Sequence, residues 1–414
     1  MKKKIMKKYK LFFIIIFYFG CDDIGTGYLW QGKPAPGFTR NFGTIGYDYG
    51  WSADFSIVDE GMIIAGQRST SVNSQTDLWA IKTNSRGTME WEKIIGGNQN
   101  DVGYDVINTS DGGFLFTGYS WSYGNEQQVY VIKTDFYGKT EWEKTFGGSM
   151  WDVGNAVIEI QGGGYIIAGY SNSPGISSGN TDMYLIKIDP NGKLIWQKAY
   201  GNKAFPNHEW ASDLIELPDL GLLVVGTRDR YDKGSLNGLV VRLDRDGKLI
   251  WEKEFIDNSK NINESIYSIS STNGGNYFLC SSTNSIEGSE IYQPKITKID
   301  ASGNTDWQRT FNSDSRNYHQ FRARTTFNGD LIIVGTTGQE LSIGHNEDAF
   351  MTKIDDNGNI IWSHSYGTPD ESDWGWDLFE TNKNSLVVIG STKSFGASLF
   401  DILLMETNSN GISQ

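Results

Sequence analysis

The chain of 414 residues is poor in several residue types, and each shortage excludes something. It has two cysteines, Cys21 and Cys280, and eight prolines. Two cysteines cannot build the disulfide framework on which small exported domains depend. The four histidines, His208, His319, His345 and His364, share no ligand spacing, so no metal centre and no cofactor is expected. Positive charge is also short: 36 Lys and Arg face 50 Asp and Glu, for a formal net charge of −14. A body of that sign repels nucleic acid and anionic lipid. Beyond the first twenty residues, no segment sustains a helical period with caps. The one long apolar run, Leu11–Gly20, is too short to span a bilayer comfortably.

That run follows Met1–Lys10, which carries six lysines and no acid, and it precedes Cys21. A basic stretch, a short apolar stretch and a small residue read as a secretory signal over 1–20. Its removal takes the net charge from −14 to −20. The Gly20-Cys21 step resembles the lipobox of bacterial lipoproteins, in which the cysteine is acylated and becomes the new N-terminus. That motif prefers Leu three places before the cysteine and a small residue two before; this chain has Tyr18 and Phe19. The resemblance implies lipidation at Cys21, a tether over 21–37 and a membrane held through lipid. A plain signal peptide or an uncleaved anchor is the alternative. Asp22-Asp23 resembles inner-membrane retention signals in some bacteria and surface-export signals in others.

What the chain has in plenty is glycine (49), tryptophan (14) and aromatic residues in general (13%). Many short strands joined by glycine turns produce that mixture. Self-similarity supports it. Trp91, Trp142, Trp196, Trp251, Trp307 and Trp362 recur at spacings of 51, 54, 55, 56 and 55. A glycine ending an apolar strand recurs at Gly66, Gly118, Gly169, Gly226, Gly335 and Gly390, with Ser281 in the fifth copy. In the third copy the strands read as A (Gly154–Ile160), B (Tyr165–Tyr170), C (Met183–Ile188) and D (Leu194–Tyr200). Four strands per repeat, seven times, predict an all-β, seven-bladed β-propeller over 38–414. Blades are expected at 44–97, 98–148, 149–201, 202–256, 257–311, 312–367 and 368–414. The last copy stops after its C–D turn, and Phe38-Thr-Arg-Asn-Phe-Gly43 matches Trp142-Glu-Lys-Thr-Phe-Gly147 with Phe for Trp. The N-terminal segment is therefore expected to supply the missing outer strand and close the ring. Cys280 falls where other copies carry Ala, Thr, Val or Ile, and is expected in the core.

The most regular motif, Asp-x-x-Gly followed by Trp, as in "KIDPNGKLIWQKAYG" from Lys187, invites a metal-loop reading. Calcium loops need three or more converging oxygens, and most copies offer one carboxylate, with Asn84 and Asn408 replacing it twice. A hairpin turn with a tryptophan packed on the next blade is the expectation. The motif is similar to the quinoprotein repeat, to sialidase Asp boxes and to bulb-type lectin strands. The overall likeness is to exported bacterial lipoproteins with D-G-G-Y-I-I-A-G and D-x-x-G-x-x-x-W propeller repeats. It implies a fold and an exterior location and fixes no activity.

Function is expected on the face of the B–C and D–A loops, where the copies differ. Near the start of strand A an acid recurs as Asp48, Asp101, Asp152, Glu209, Glu264 and Asp373. These six either ring a mouth that attracts cations or cap the D–A loops through backbone amides. Trp151, Trp210, Trp374, Trp376 and Trp121 lie at the same level and suit stacking on a sugar or protein contact. Blade 6 departs from the pattern with Tyr318-His-Gln-Phe-Arg-Ala-Arg324. Arg322 and Arg324 would clamp a carboxylate or neutralise Asp373 and Asp377. The resulting expectation is a monomeric, exported, lipid-anchored protein that binds a glycan or protein without catalysis. The competing expectation is a glycoside hydrolase or lyase acting on an acidic sugar at the central mouth.

Overall fold

The computed structural model describes residues 37–413 apart from 70–74, 125, 179, 202–206, 231–233, 256–261, 285–290, 312–316, 339–346, 369 and 395–398, with backbone only at 317–320. The segment expected to be a signal, Cys21 and all but the last residue of the expected tether lie outside the described residues.

Seven antiparallel sheets of four strands each make a seven-bladed β-propeller. Within a blade the strands pair in order A-B-C-D from the ring centre outward. The seventh blade takes three strands from the C-terminal end of the ring (Asp373–Glu380, Leu386–Thr392, Asp401–Thr407) and its outer strand, Thr39–Phe42, from the N-terminal end. Thr39 pairs with Met405 and Phe42 with Ile402. This is the expected closure, and it leaves the last sheet with its full set of strands.

Each blade buries both faces against its neighbours, and the core is accordingly divided into seven apolar clusters, one per interface. That explains why strands B and C read as continuous apolar runs: alternate residues go to alternate interfaces, and both are dry. In blade 3, Ile166 serves the interface with blade 4 while Ile167 serves the interface with blade 2. The cluster containing Phe38, Trp79 and Ile402 joins blade 7 to blade 1. Cys280 is fully buried between blades 5 and 6, and burial pushes its thiol pKa upward, as befits a core residue.

The C–D motif is a turn in every blade. In blade 3 the amides of Asn191 and Lys193 donate to Asp189 Oδ1 at 2.9 Å each, and Gly192 takes φ +76°. Asn408 receives the equivalent bonds from Asn410 (2.9 Å) and Ile412 (3.0 Å), so the turn needs an oxygen and no charge. The tryptophan of the preceding blade packs on that glycine. A Cβ on Gly192 would stand 2.8 Å from the Trp142 ring, and one on Gly411 would stand 2.7 Å from Trp362. The indole also donates across the interface, from Trp142 to Pro190 O at 3.1 Å and from Trp307 to Asp356 O at 3.2 Å. Phe38 takes the same place over Gly87, completing the set of seven.

Candidate functional site

Strand A carries a β-bulge in each blade, between Gly50 and Ser52, Gly103 and Asp105, Gly154 and Ala156, Ala211 and Asp213, Ile266 and Ser268, and Gly375 and Asp377, with a wider irregularity between His319 and Arg322. A bulge re-aims the extra residue. The extra residues are Trp51, Tyr104, Asn155, Ser212, Tyr267 and Trp376, and all of them, with Phe321, line a central basin. The basin has two lobes that share Trp51, Tyr267 and Trp376. One, of about 430 Å³, is completed by Tyr49, Thr336, Glu347 and Trp374. The other, of about 280 Å³, is completed by Tyr104, Asn155, Trp210, Ser212, Phe321 and Arg322.

The aromatic walls brace one another. Trp51 and Trp376 meet at 4.6 Å between centroids with planes 62° apart, and Trp374 and Trp376 at 5.9 Å and 90°. Behind them Tyr49 stacks on Trp374 (5.9 Å, 7°), which stacks on Phe400 (4.1 Å). Polar bonds fix the indoles: Trp374 Nε1 donates to Glu347 Oε2 at 2.6 Å and Trp376 Nε1 to Ser391 Oγ at 3.2 Å. The Trp51 indole N–H is buried with no acceptor among the described residues. Rings locked in this way lose little entropy when a ligand stacks on them.

Beneath the aromatics lies a charged network that ties blades across the ring. Arg322 Nη1 is 3.4 Å from Asp377 Oδ2 and 3.8 Å from Asp105 Oδ1. Arg324 approaches Asp377 Oδ1 at 3.6 Å and Asp213 Oδ2 at 3.7 Å. The Ser52 hydroxyl lies between Asp105 Oδ1 (2.7 Å) and Asp377 Oδ2 (3.0 Å). The aspartates also cap backbone amides of neighbouring blades, Val157 N to Asp105 at 2.9 Å and Ile269 N to Asp213 at 3.1 Å. Burial pushes the Asp105 carboxyl pKa upward against the pull of Arg322, and pushes Asp54, two residues beyond Ser52, up to about 6. Two guanidiniums shared among three aspartates leave no surplus positive charge.

The structure sorts the residues expected from sequence. Trp210, Trp374, Trp376 and Arg322 line the basin; Arg324 belongs to the network below it. Trp121 and Trp151 line neither lobe, and Trp151 is half-exposed. The arginines engage Asp377 and not Asp373, whose carboxylate instead accepts from Thr368 N and from the hydroxyls of Thr392 and Ser394.

The six strand-A acids Asp48, Asp101, Asp152, Glu209, Glu264 and Asp373 are buried, and none borders the basin. The four aspartates among them fasten the D–A loops. Asp101 Oδ2 accepts from Gly97 N (2.8 Å) and Ser122 Oγ (2.6 Å), and Asp152 Oδ2 accepts from Gly148 N (2.8 Å) and Ser173 Oγ (2.7 Å). Where the acid is Glu, a buried cation meets it: Arg228 Nε to Glu209 at 2.7 Å, and Lys295 Nζ to Glu264 at 2.7 Å. Arg228 also binds Glu254 (2.7 Å) and Glu252 (3.2 Å). Burial pushes Glu209 up to about 7 in spite of Arg228.

Sequence reasoning did not single out Tyr104, Asn155, Ser212, Tyr267 or Glu347 as lining residues. For the first three, the signal was the place after a small residue and before Asp or Ala in "VGYDV", "VGNAV" and "WASDL". Glu347 opens strand C of blade 6 (Glu347–Ile354) and carried no repeat signal.

No protein-family model matches the sequence, and no curated protein matches it. Among solved structures the chain is similar to a polysaccharide lyase, with 10% identity, TM-score 0.53, and 87% of this chain and 90% of that one covered. It is similar to a protein of unknown function from Dyadobacter fermentans, with 12% identity, TM-score 0.50, and 89% and 98% covered. An α-L-arabinofuranosidase from Fusarium graminearum matches at 13% identity and TM-score 0.47, with 73% and 91% covered. At these identities the likeness is one of fold.

Proposed function

We propose that this propeller is a non-catalytic binding protein of the bacterial cell envelope that takes a saccharide in its central basin. The observation that carries the reading is the wall of locked rings, Tyr49, Trp51, Tyr104, Tyr267, Trp374 and Trp376, interspersed with Asn155, Ser212, Thr336 and Glu347. Aromatic faces stack on the C–H faces of sugars, and short polar groups bond hydroxyls; such a mixture defines a small-molecule site. The same architecture serves a polysaccharide lyase, so a sugar polymer suits the fold. Binding is favoured over bond cleavage because Asp105 and Asp377 are occupied by Ser52 and the arginines, which leaves Glu347 without a second free carboxyl to work with among the described lining residues. General acid–base chemistry needs carboxyls free to reach a substrate proton.

A glycan array on the protein without residues 1–20, followed by calorimetry on the saccharide it selects, tests this. Trp376→Ala should weaken binding at least about tenfold while the far-UV spectrum holds, in keeping with an aromatic anchor. Cleavage of any polysaccharide in a hydrolase and lyase screen would replace the binding reading with the catalytic one. We further propose that export and lipid on Cys21 hold the propeller to a membrane. Palmitate labelling lost in Cys21→Ser supports the anchor, and labelling that persists rejects it.

A further inference from the structure

We propose that the larger lobe of the basin is an aromatic cage for an ammonium group, so that the saccharide it selects carries free amino groups. This rests on the reading of the basin as a saccharide site. Three observations carry it. First, the walls turn a corner. Trp376 stands at 62° to Trp51 and at 90° to Trp374, with centroids 4.6 and 5.9 Å apart. A sugar ring lies on a flat platform, whereas a compact cation is best held where several ring faces converge.

Second, the described lining of this lobe carries charge of one sign. Glu347 is the only charged residue among the described residues that line it. Its Oε2 holds the Trp374 indole at 2.6 Å, and its Oε1 has no protein partner among the described residues. The hydroxyls of a neutral sugar would give that carboxylate hydrogen bonds but no counter-charge. An anionic ligand would meet like charge. An ammonium supplies both the counter-charge and the donor. Third, Lys393 lies over the Phe400 ring, which Trp374 covers, and the guanidinium that borders the basin is committed elsewhere. Arg322 borders the smaller lobe and is held by Asp377 and Asp105. The acceptor that an amino sugar needs is thus present in one lobe, and the neighbouring guanidinium is kept off it.

The test compares two ligands that differ at one group, a tetramer of β-1,4-linked glucosamine and its fully N-acetylated counterpart, at about pH 5, where most of the weakly basic sugar amines are protonated. The free-amine tetramer should bind about tenfold tighter or more, the scale of a caged and ion-paired cation. Glu347→Gln keeps an oxygen for the Trp374 indole and removes the charge. It should abolish the preference while leaving affinity for the acetylated tetramer within about twofold. On the unmodified protein, tetramethylammonium should displace the amine tetramer and the neutral alcohol 3,3-dimethylbutan-1-ol should not. Equal or tighter binding of the acetylated tetramer, or a preference that survives Glu347→Gln, overturns the ammonium reading. A neutral glycan bound in the basin with no amine preference overturns it alone, whereas failure of every saccharide to bind overturns the saccharide site as well.

Discussion

Arg228→Ala is the substitution from which the structure makes its sharpest demand. The side chain is buried in blade 4 and bridges Glu209, Glu254 and Glu252 at 2.7, 2.7 and 3.2 Å. Glu254 retains Asn237 (2.7 Å) and Arg230 (3.3 Å), and Glu252 reaches solvent. Glu209 is fully buried and is left alone. Stripping one partner from a buried pair costs ~3–5 kcal/mol. With an unfolding entropy of ~2.1 cal/mol/K per residue over roughly 375 residues, that corresponds to a fall in Tm of about 4–6 °C if the ring melts as one unit. The deficit must also depend on pH. Burial already pushes Glu209 from its ordinary 4.5 to about 7. A carboxyl raised on folding contributes stability that is fully present below about pH 4.5 and is lost as pH rises through 7. Removing Arg228 removes the pull that holds this pKa down, so the deficit should be ~1.4 kcal/mol larger at pH 8 than at pH 5, the worth of one pH unit above 7. Urea titrations at the two pH values measure it, and Glu209→Gln combined with Arg228→Met should recover at least half of the loss. An equal deficit at both pH values, or one below about 1 kcal/mol, would refute the reasoning.

Other substitutions probe the ring and its centre. Phe38→Ala removes a buried ring from the blade 7–blade 1 core and should cost ~3–5 kcal/mol in urea unfolding, while Phe38→Trp should stay within ~1.5 kcal/mol. Gly192→Ala forces a side chain to φ +76° and against Trp142, for a loss of at least ~1–3 kcal/mol with a shift in tryptophan emission. Asp54, raised by burial to about 6, contributes stability that fades as pH climbs from its ordinary 3.8 through 6. Asp54→Asn should flatten the stability profile across that window.

The fold was legible because its signals repeat. Six glycines with Ser281 in the seventh place, and six tryptophans, identify blades without any tertiary knowledge, and the Phe38–Gly43 match to Trp142–Gly147 places the closing strand. The basin was less legible for a physical reason. The residues that line it are set by a bulge, which breaks the period-2 rule on which facing is judged. The recurrent acids left two readings open, a ring at the mouth or caps on the D–A loops, and Asp101 and Asp152 take the second. The arginines of blade 6 were recognisable as exceptional, but their partners Asp105 and Asp213 belong to blades 2 and 4, far off in sequence. Only ring closure brings those charges to one axis.

The pairing of Thr39 with Met405 has a consequence for how the molecule is made. Among the strands of the ring, Thr39–Phe42 leaves the ribosome before the others and its partner Asp401–Thr407 after them, so it must wait, unpaired, through the synthesis of six complete blades. Local hairpins form early, while this one contact spans nearly the whole ring and carries the slowest closure. Until it forms, blade 7 presents an open sheet edge and blade 1 an uncovered apolar face, Ile64 and Ile81 among it. The polar Thr-Arg-Asn sequence of the waiting strand keeps its free edges from sticking to one another in that interval.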